Sequence, residues 1–91
     1  MRLNWTINFT NTAIKTLSKL DKKQASRIFT WLDERLNNCS NPRLWGKQLK
    51  GSKFGENWCY RVGNYRILCN INAGNLVVVV VEVDHRKQVY R

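Results

Sequence analysis

The chain is short and strongly basic. It has 91 residues, of which 16 are Lys or Arg and 6 are Asp or Glu, so its formal net charge is +10. This length predicts a single domain over residues 1–91, and the surplus of positive charge favours nucleic acid, an anionic membrane or an acidic protein as the partner. The longest apolar run, Leu76 to Val81, is too short for a membrane-spanning helix, which needs ~20 residues, so we expect no membrane association through such a helix.

The cysteine and histidine content argues against a metal site. Cys39, Cys59 and Cys69 do not stand at the spacing of metal ligands, and the chain has one histidine. An odd number of cysteines without a signal peptide favours the reducing cytoplasm. We therefore expect no metal and no other cofactor, and we interpret the cysteines as small apolar residues.

The first third of the chain predicts a strand followed by two helices. Residues 3–9 alternate between apolar and polar side chains, which is typical of a half-buried strand. Thr10 begins a run of capping residues for a first helix, and Asp21 with Gln24 has the pattern of a capping box that starts a second helix near Lys22. The short joint makes the two helices antiparallel. The predicted apolar stripe of the second helix consists of Ala25, Ile28, Phe29, Leu32 and Leu36.

A basic segment follows the helices. The helical pattern stops at residues 37–39, and Pro42 marks the break. We predict an irregular loop over residues 41–57, and a loop this long in a small domain is usually functional or disordered. It is either a solvated loop with two aromatic side chains in the core, or a loop that grips phosphates. Its candidate phosphate-binding cations are Arg43, Lys47, Lys50 and Lys53.

Three strands are predicted in the second half of the chain, at residues 58–62, 65–72 and 76–83. Gly63-Asn64 is typical of a two-residue hairpin turn, which places Arg61 opposite Arg66 on one face of the sheet. A short turn at residues 73–74 predicts that Arg66 pairs with Val81 in the last strand. If the alternation continues, His85 joins the two arginines on their face.

The predicted pairing sets two like charges side by side. Guanidinium groups about 6 Å apart repel by roughly 0.7 to 3 kcal/mol, depending on the dielectric constant. A phosphate shared between Arg61 and Arg66 relieves this repulsion, although two exposed arginines also have the option of pointing apart into water. The last residues, "DHRKQVYR", bring further candidates to the same edge: His85, Arg86, Lys87 and Tyr90.

The order of these elements, with "LKG", "WCYRVGNYRIL" and a terminal "VDHRKQVYR", resembles the RelE/ParE superfamily of bacterial toxins from toxin–antitoxin operons. The resemblance implies an α+β fold in the order β-α-α-β-β-β, with two N-terminal antiparallel helices packed on a mainly antiparallel four-stranded sheet. For the RelE branch it implies a metal-independent endoribonuclease that cuts mRNA in the ribosomal A site. It also implies a cognate antitoxin as partner, and contact with operator DNA only through the antitoxin complex.

The resemblance also assigns catalytic positions, namely Arg61, Arg66, Arg86 and Tyr90. In such an RNase the substrate's own 2′-hydroxyl attacks the adjacent phosphate. Arginines stabilise the anionic transition state, and proton transfer falls to His85 or Tyr90. Lysine stands two residues after the Arg61 position in some RelE members, whereas this chain has Gly63 there. The choice of general acid and base stays open.

Three functions are consistent with these residues. We predict a ribosome-dependent mRNA endonuclease that inhibits translation in the cytoplasm. The first alternative is a ParE-like inhibitor of DNA gyrase, which needs no catalytic residues. The second is an RNA-binding domain without turnover, whose affinity falls with salt.

Overall fold

Two helices lie on one face of a five-stranded sheet in the computed structural model, which describes residues 4–49 and 56–85. A 3-10 turn, Pro42–Leu44, precedes the shortest strand. The elements, in chain order, are β1 (Thr6–Phe9), α1 (Asn11–Lys19), α2 (Lys22–Leu36), β2 (Lys47–Gln48), β3 (Glu56–Val62), β4 (Tyr65–Asn72) and β5 (Val77–His85). The predicted α+β class is confirmed, and β2 is an additional strand within the segment predicted to be irregular.

The sheet is mixed, with the strand order β1-β5-β4-β3-β2. Only β1 and β5 run parallel, and the other three neighbouring pairs are antiparallel. The prediction of a mainly antiparallel sheet is therefore confirmed, but the sheet has five strands instead of four. The fifth arises because Lys47 and Gln48 pair with Cys59 and Trp58 at the edge of β3.

Both helices begin where the capping residues predict. The Thr10 hydroxyl accepts a hydrogen bond from the Ala13 N–H at 3.1 Å, which satisfies one donor of the first turn of α1. Asp21 occupies the N-cap of α2, but its side chain makes no capping hydrogen bond. The predicted capping box is therefore not formed, although the helix begins at Lys22 as expected.

The apolar stripe of α2 is narrower than predicted. Ile28, Leu32 and Leu36 are fully buried, whereas Phe29 is 53% exposed. Phe29 instead stacks on Phe9 at the margin of the core, with ring centroids 6.1 Å apart. The stripe packs on the sheet face that carries the rest of the core, which includes Tyr60, Val62, Ile67, Cys69, Ile71, Val78, Val80 and Val83.

The β3–β4 hairpin forms as its turn residues predict. Gly63 has a φ of +60°, a conformation that glycine adopts without steric cost. Val62 pairs with Tyr65, and Arg61 pairs with Arg66. The turn thus fixes the register on which the candidate site depends.

The predicted register between β4 and β5 is wrong. Arg66 pairs with Asp84 and not with Val81. One cause is the turn, which spans residues 73–76 because Asn72 pairs with Val77. The other cause is a β-bulge, since the register shifts between Leu68 and Cys69 while Val81 has no partner in β4. A bulge adds one residue to a strand and so exchanges the faces of all residues beyond it.

Side chains of β3 hold the segment before β2 against the sheet. The Tyr60 hydroxyl donates a buried hydrogen bond to the Pro42 carbonyl at 2.7 Å, and Trp58 Nε1 donates to the Trp45 carbonyl at 2.6 Å. Arg43 forms two 2.7 Å hydrogen bonds with the Glu56 carboxylate. The 3-10 turn and the residues after it are therefore anchored at three points.

Neither helix in the described part of the chain is long and apolar enough to cross a membrane.

Removing the Tyr60 hydroxyl tests this anchoring. We expect Tyr60→Phe to lower the free energy of unfolding by about 1–3 kcal/mol, because the buried Pro42 carbonyl loses its donor. Burial raises the pKa of Tyr60, so the hydroxyl stays protonated and donates at neutral pH. Urea denaturation measures the change. Tyr65→Phe removes a hydroxyl from a half-buried ring and should alter stability by less than about 0.5 kcal/mol. Equal losses of stability in Tyr60→Phe and Tyr65→Phe would show that the hydrogen bond from Tyr60 to Pro42 does not stabilise the fold.

The ion pair between Arg43 and Glu56 predicts a pH-dependent stability. The Arg43 guanidinium holds the pKa of the Glu56 carboxyl below its usual range. A carboxyl with a lowered folded-state pKa adds stability above its unfolded-state pKa of about 4.3, and this contribution disappears as the pH falls through the folded-state pKa. We expect Glu56→Gln to be less stable than the parent by at most about 1 kcal/mol at neutral pH, since the pair is partly exposed.

The difference in stability between the parent and Glu56→Gln should disappear as the Glu56 carboxyl becomes protonated in acid. Urea denaturation at a series of pH values, from neutral to below the unfolded-state pKa of about 4.3, measures this difference. Glu34→Gln, on the exposed side of α2, is the matched control. A difference between parent and Glu56→Gln that is the same in acid as at neutral pH would show that the ion pair is not its cause.

Candidate functional site

Three charged residues form a row across neighbouring strands. Arg61 in β3 pairs with Arg66 in β4, and Arg66 in turn pairs with Asp84 in β5. Paired residues lie on the same face of a sheet, with side-chain bases about 5 Å apart. Their neighbours Val62 and Ile67 are buried under the helices, so the row lies on the opposite face. The predicted juxtaposition of the two arginines is confirmed.

Both arginines line a groove of about 540 Å³ at the edge of β3. The groove exists because β2 pairs only with Trp58 and Cys59, which leaves the rest of that edge without a neighbouring strand in the described residues. Trp31 of α2 also contributes, so the groove extends around the edge. Its full lining consists of Trp31, Trp45, Gly46, Lys47, Leu49, Cys59, Arg61 and Arg66.

The electrostatic character of the groove suits an anion. Lys47, Arg61 and Arg66 supply three cations, and no carboxylate is among the described residues that line it. Low-dielectric walls, here two tryptophans and Leu49, concentrate the field of such a cluster. Arginine and lysine remain protonated near neutral pH, so these groups bind and stabilise negative charge. Proton transfer requires other residues.

Arg43 does not line the groove. Its Nε and Nη2 atoms donate hydrogen bonds to the two carboxylate oxygens of Glu56. The central carbon of its guanidinium lies 5.8 Å from the centroid of the Trp5 ring. The prediction that Arg43 binds substrate phosphate is therefore not supported by its placement. Its role in the structure is to attach the 3-10 turn to the start of β3.

His85 lies on the other face of the sheet from the arginines. It pairs with Tyr65, and the two rings meet edge to face with centroids 4.9 Å apart. The prediction that His85 joins the arginine face is wrong, because the bulge at Val81 reverses the alternation assumed for the end of β5. Asp84 lies opposite Arg66, in the place predicted for Val81.

The remaining predicted site residues are Lys50, Lys53, Arg86, Lys87 and Tyr90, and they lie outside the described residues. Their proposed roles stay predictions.

Two tryptophans of the groove were not among the predicted site residues. Trp31 lies outside the predicted stripe of α2, and it contacts both the Arg35 guanidinium, 5.0 Å from the ring centroid, and the Tyr60 ring, 5.6 Å away. Trp45 is one of the two aromatic residues of the predicted loop over residues 41–57. The only available signal was aromatic residues interspersed with cations in a basic segment, a pattern typical of single-stranded nucleic-acid binding.

The cysteines do not form a second site. Cys69 is buried, and burial raises the pKa of its thiol, which makes it a poor nucleophile. Cys59 lines the groove, while Cys39 lies near the end of α2. Across residues 4–49 and 56–85, no three His, Cys, Asp or Glu side chains are grouped as metal ligands would be.

Comparison with known proteins gives the family. The family described as ParE toxin of type II toxin-antitoxin system, parDE, matches residues 7–90. Toxin RelG of Mycobacterium tuberculosis is 32% identical over 87 residues, a stretch that covers 96% of this chain and 97% of that protein.

Solved structures agree with this assignment. The toxin–antitoxin complex RelBE2 of Mycobacterium tuberculosis matches with a TM-score of 0.72 at 30% identity, over 92% of this chain and 100% of that one. The isolated E. coli RelE toxin matches with a TM-score of 0.70 at 22% identity, over 89% and 83% of the two chains, and this likeness concerns the fold alone. The chain therefore belongs to the RelE/ParE superfamily of toxins from type II toxin–antitoxin systems.

Proposed function

We propose that this toxin is a ribosome-dependent mRNA endonuclease of the RelE type. The observation that carries the proposal is the pairing of Arg61 with Arg66 in a groove that also holds Lys47. Three cations around one concave site suit the phosphodiester backbone of a single RNA strand. A gyrase inhibitor that works by binding a protein has no need of a groove lined by three cations.

The proposed reaction uses the substrate's own 2′-hydroxyl. This oxygen attacks the neighbouring phosphorus, the bond to the 5′-oxygen breaks, and the products are a 2′,3′-cyclic phosphate and a 5′-hydroxyl. Arg61 and Arg66 would hold the non-bridging oxygens, whose negative charge increases in the transition state. Lys47 would bind an adjacent phosphate.

Proton transfer would come from the end of the chain. Family resemblance assigns Arg86 and Tyr90 to the active site, with Lys50, Lys53 and Lys87 as further contacts to RNA. His85 is no longer our candidate for the general base, because it lies on the other face of the sheet, against Tyr65.

A cognate antitoxin is the proposed protein partner. Similar toxins have been solved in toxin–antitoxin complexes, among them RelBE2 of Mycobacterium tuberculosis and RelBE of E. coli. The net charge of +10 favours an antitoxin segment with acidic residues. Operator DNA would be contacted only through that complex, and the toxin would act in the cytoplasm, where ribosomes translate.

Cleavage on the ribosome tests the proposal. Purified protein should cut mRNA in a reconstituted translation complex and leave free RNA mostly intact. We expect Arg66→Ala to slow cleavage by about 10²–10³-fold, by analogy with the loss of one oxyanion donor. The cleavage rate of Arg66→Lys should lie between those of the parent and Arg66→Ala, because lysine keeps the charge but cannot form two parallel hydrogen bonds to a phosphate.

The matched control is Lys15→Ala, which removes one exposed cation from α1 and should cleave like the parent. Circular dichroism and thermal melting check that all variants are folded. Wild-type cleavage by Arg66→Ala, or no cleavage by the parent, would contradict the proposal.

The second candidate is ParE-like inhibition of DNA gyrase, because the matching family is described as ParE toxin. A supercoiling assay with the same proteins separates the two functions. Inhibition of supercoiling together with intact ribosomal mRNA would establish the ParE-like function. Salt-dependent RNA binding without either activity would leave an RNA-binding domain.

A further inference from the structure

We propose that Trp45 forms a stacking subsite for an unpaired nucleobase, next to the phosphate-binding arginines. The inference rests on the proposed function, in that it takes single-stranded RNA as the occupant of the groove. The Trp45 ring would bind a base, whereas Arg61, Arg66 and Lys47 in the same groove would bind phosphates.

The position of Trp45 is the first argument. It lines the same groove as Arg61, Arg66 and Lys47. The groove measures about 540 Å³, which is within the range of roughly 300–1,000 Å³ typical of small-ligand sites. A cationic groove with an aromatic ring beside it is how proteins bind single strands, since the cations follow the backbone while the bases stack on the rings.

The second argument is that the Trp45 backbone is held in place before any ligand arrives. Trp58 Nε1 donates a hydrogen bond to the Trp45 carbonyl at 2.6 Å. The next residue, Gly46, has a φ of +74°, and a Cβ there would lie only 2.9 Å from both Trp58 Nε1 and Tyr60 Cδ1. The backbone of this segment is thus closely packed against β3. A ring carried on a fixed backbone loses less entropy on binding.

The third argument distinguishes Trp45 from the other tryptophans. Trp5 and Trp58 are buried. Trp31 lines the groove, but its ring already contacts Arg35 and Tyr60. Trp45 is half-buried and packs against the edge of the core, but within the described residues its ring has no aromatic or cationic contact. Trp45 is therefore the tryptophan best placed to offer its ring to a base.

A stacking subsite has consequences for substrate choice. Every nucleobase has a π-face, so stacking on Trp45 would tolerate any sequence. The subsite would favour single strands over duplexes, because paired bases do not offer a free face to a protein ring. It would therefore contribute affinity for unpaired RNA without choosing the codon.

Binding to two matched probes tests the inference. The first is a short single-stranded 2′-O-methyl oligonucleotide with a fluorescent label, which lacks the nucleophile and is not cleaved. The second has the same backbone with abasic positions. We expect Trp45→Leu to weaken binding of the first probe by about 5- to 150-fold. Trp45→Phe should retain most of the affinity, because it keeps an aromatic face.

Salt dependence separates stacking from charge. Trp45→Leu should leave the slope of log K against log salt concentration unchanged, whereas Arg61→Ala should reduce its magnitude by about 0.7, the value for one phosphate contact on a single strand. The parent and Trp45→Leu should bind the abasic probe equally. This comparison also detects misfolding, which would weaken binding of both probes.

Three results would overturn the subsite: no binding of the first probe by the parent, unchanged affinity in Trp45→Leu, or an equal loss for both probes. Failure of the subsite is distinguishable from failure of the proposed function. Ribosomal cleavage with no base-dependent loss would remove only the subsite. A base-dependent loss without ribosomal cleavage would remove only the endonuclease.

Discussion

The pairing of Arg61 with Arg66 is the constraint on which the candidate site depends. A two-residue turn at Gly63-Asn64 fixes the register of β3 against β4, and a slip of one residue would move one arginine to the buried face. Like charges directly opposite each other on one face of a sheet repel, and an anion bound between the two side chains would relieve that repulsion. Asp84, on the far side of Arg66, adds a carboxylate to the row. Both arginines line the groove at the edge of β3.

The core provides the rigidity that this geometry requires. Tyr60 of β3 is fully buried beneath α2, where its ring contacts Trp31, and its hydroxyl donates a hydrogen bond to the Pro42 carbonyl. Trp58 holds the Trp45 carbonyl in the same way. These two side chains belong to the strand that carries Arg61, so one strand positions both the Arg61 cation and the aromatic wall beside it. A substitution in the core of β3 would therefore alter the groove as well as the stability of the fold.

Local chemistry determined which elements sequence reasoning found. The β3–β4 register followed from the Gly63-Asn64 turn, and the helix starts followed from Thr10 and Asp21, because these signals act over a few residues. The register of β5 did not follow. Its run of five valines is equally apolar on both faces, so alternation carried no information about the bulge at Val81 or the longer turn before the strand. β2 has two residues, too few for any periodicity. The bulge explains why the predicted face of His85 is wrong, and together with the longer turn it explains why Asp84 was not predicted opposite Arg66.

A double-mutant cycle on Arg61 and Arg66 tests the central claim, that the two arginines share one phosphate. The quantity to measure is the affinity of the parent, Arg61→Ala, Arg66→Ala and the double variant for the uncleavable 2′-O-methyl oligonucleotide at fixed salt. If both guanidinium groups contact the same phosphate, the losses will not add, and the coupling energy should reach about 1 kcal/mol or more. Losses that add to within about 0.3–0.5 kcal/mol would show that the two side chains bind independently, and would contradict a shared phosphate site.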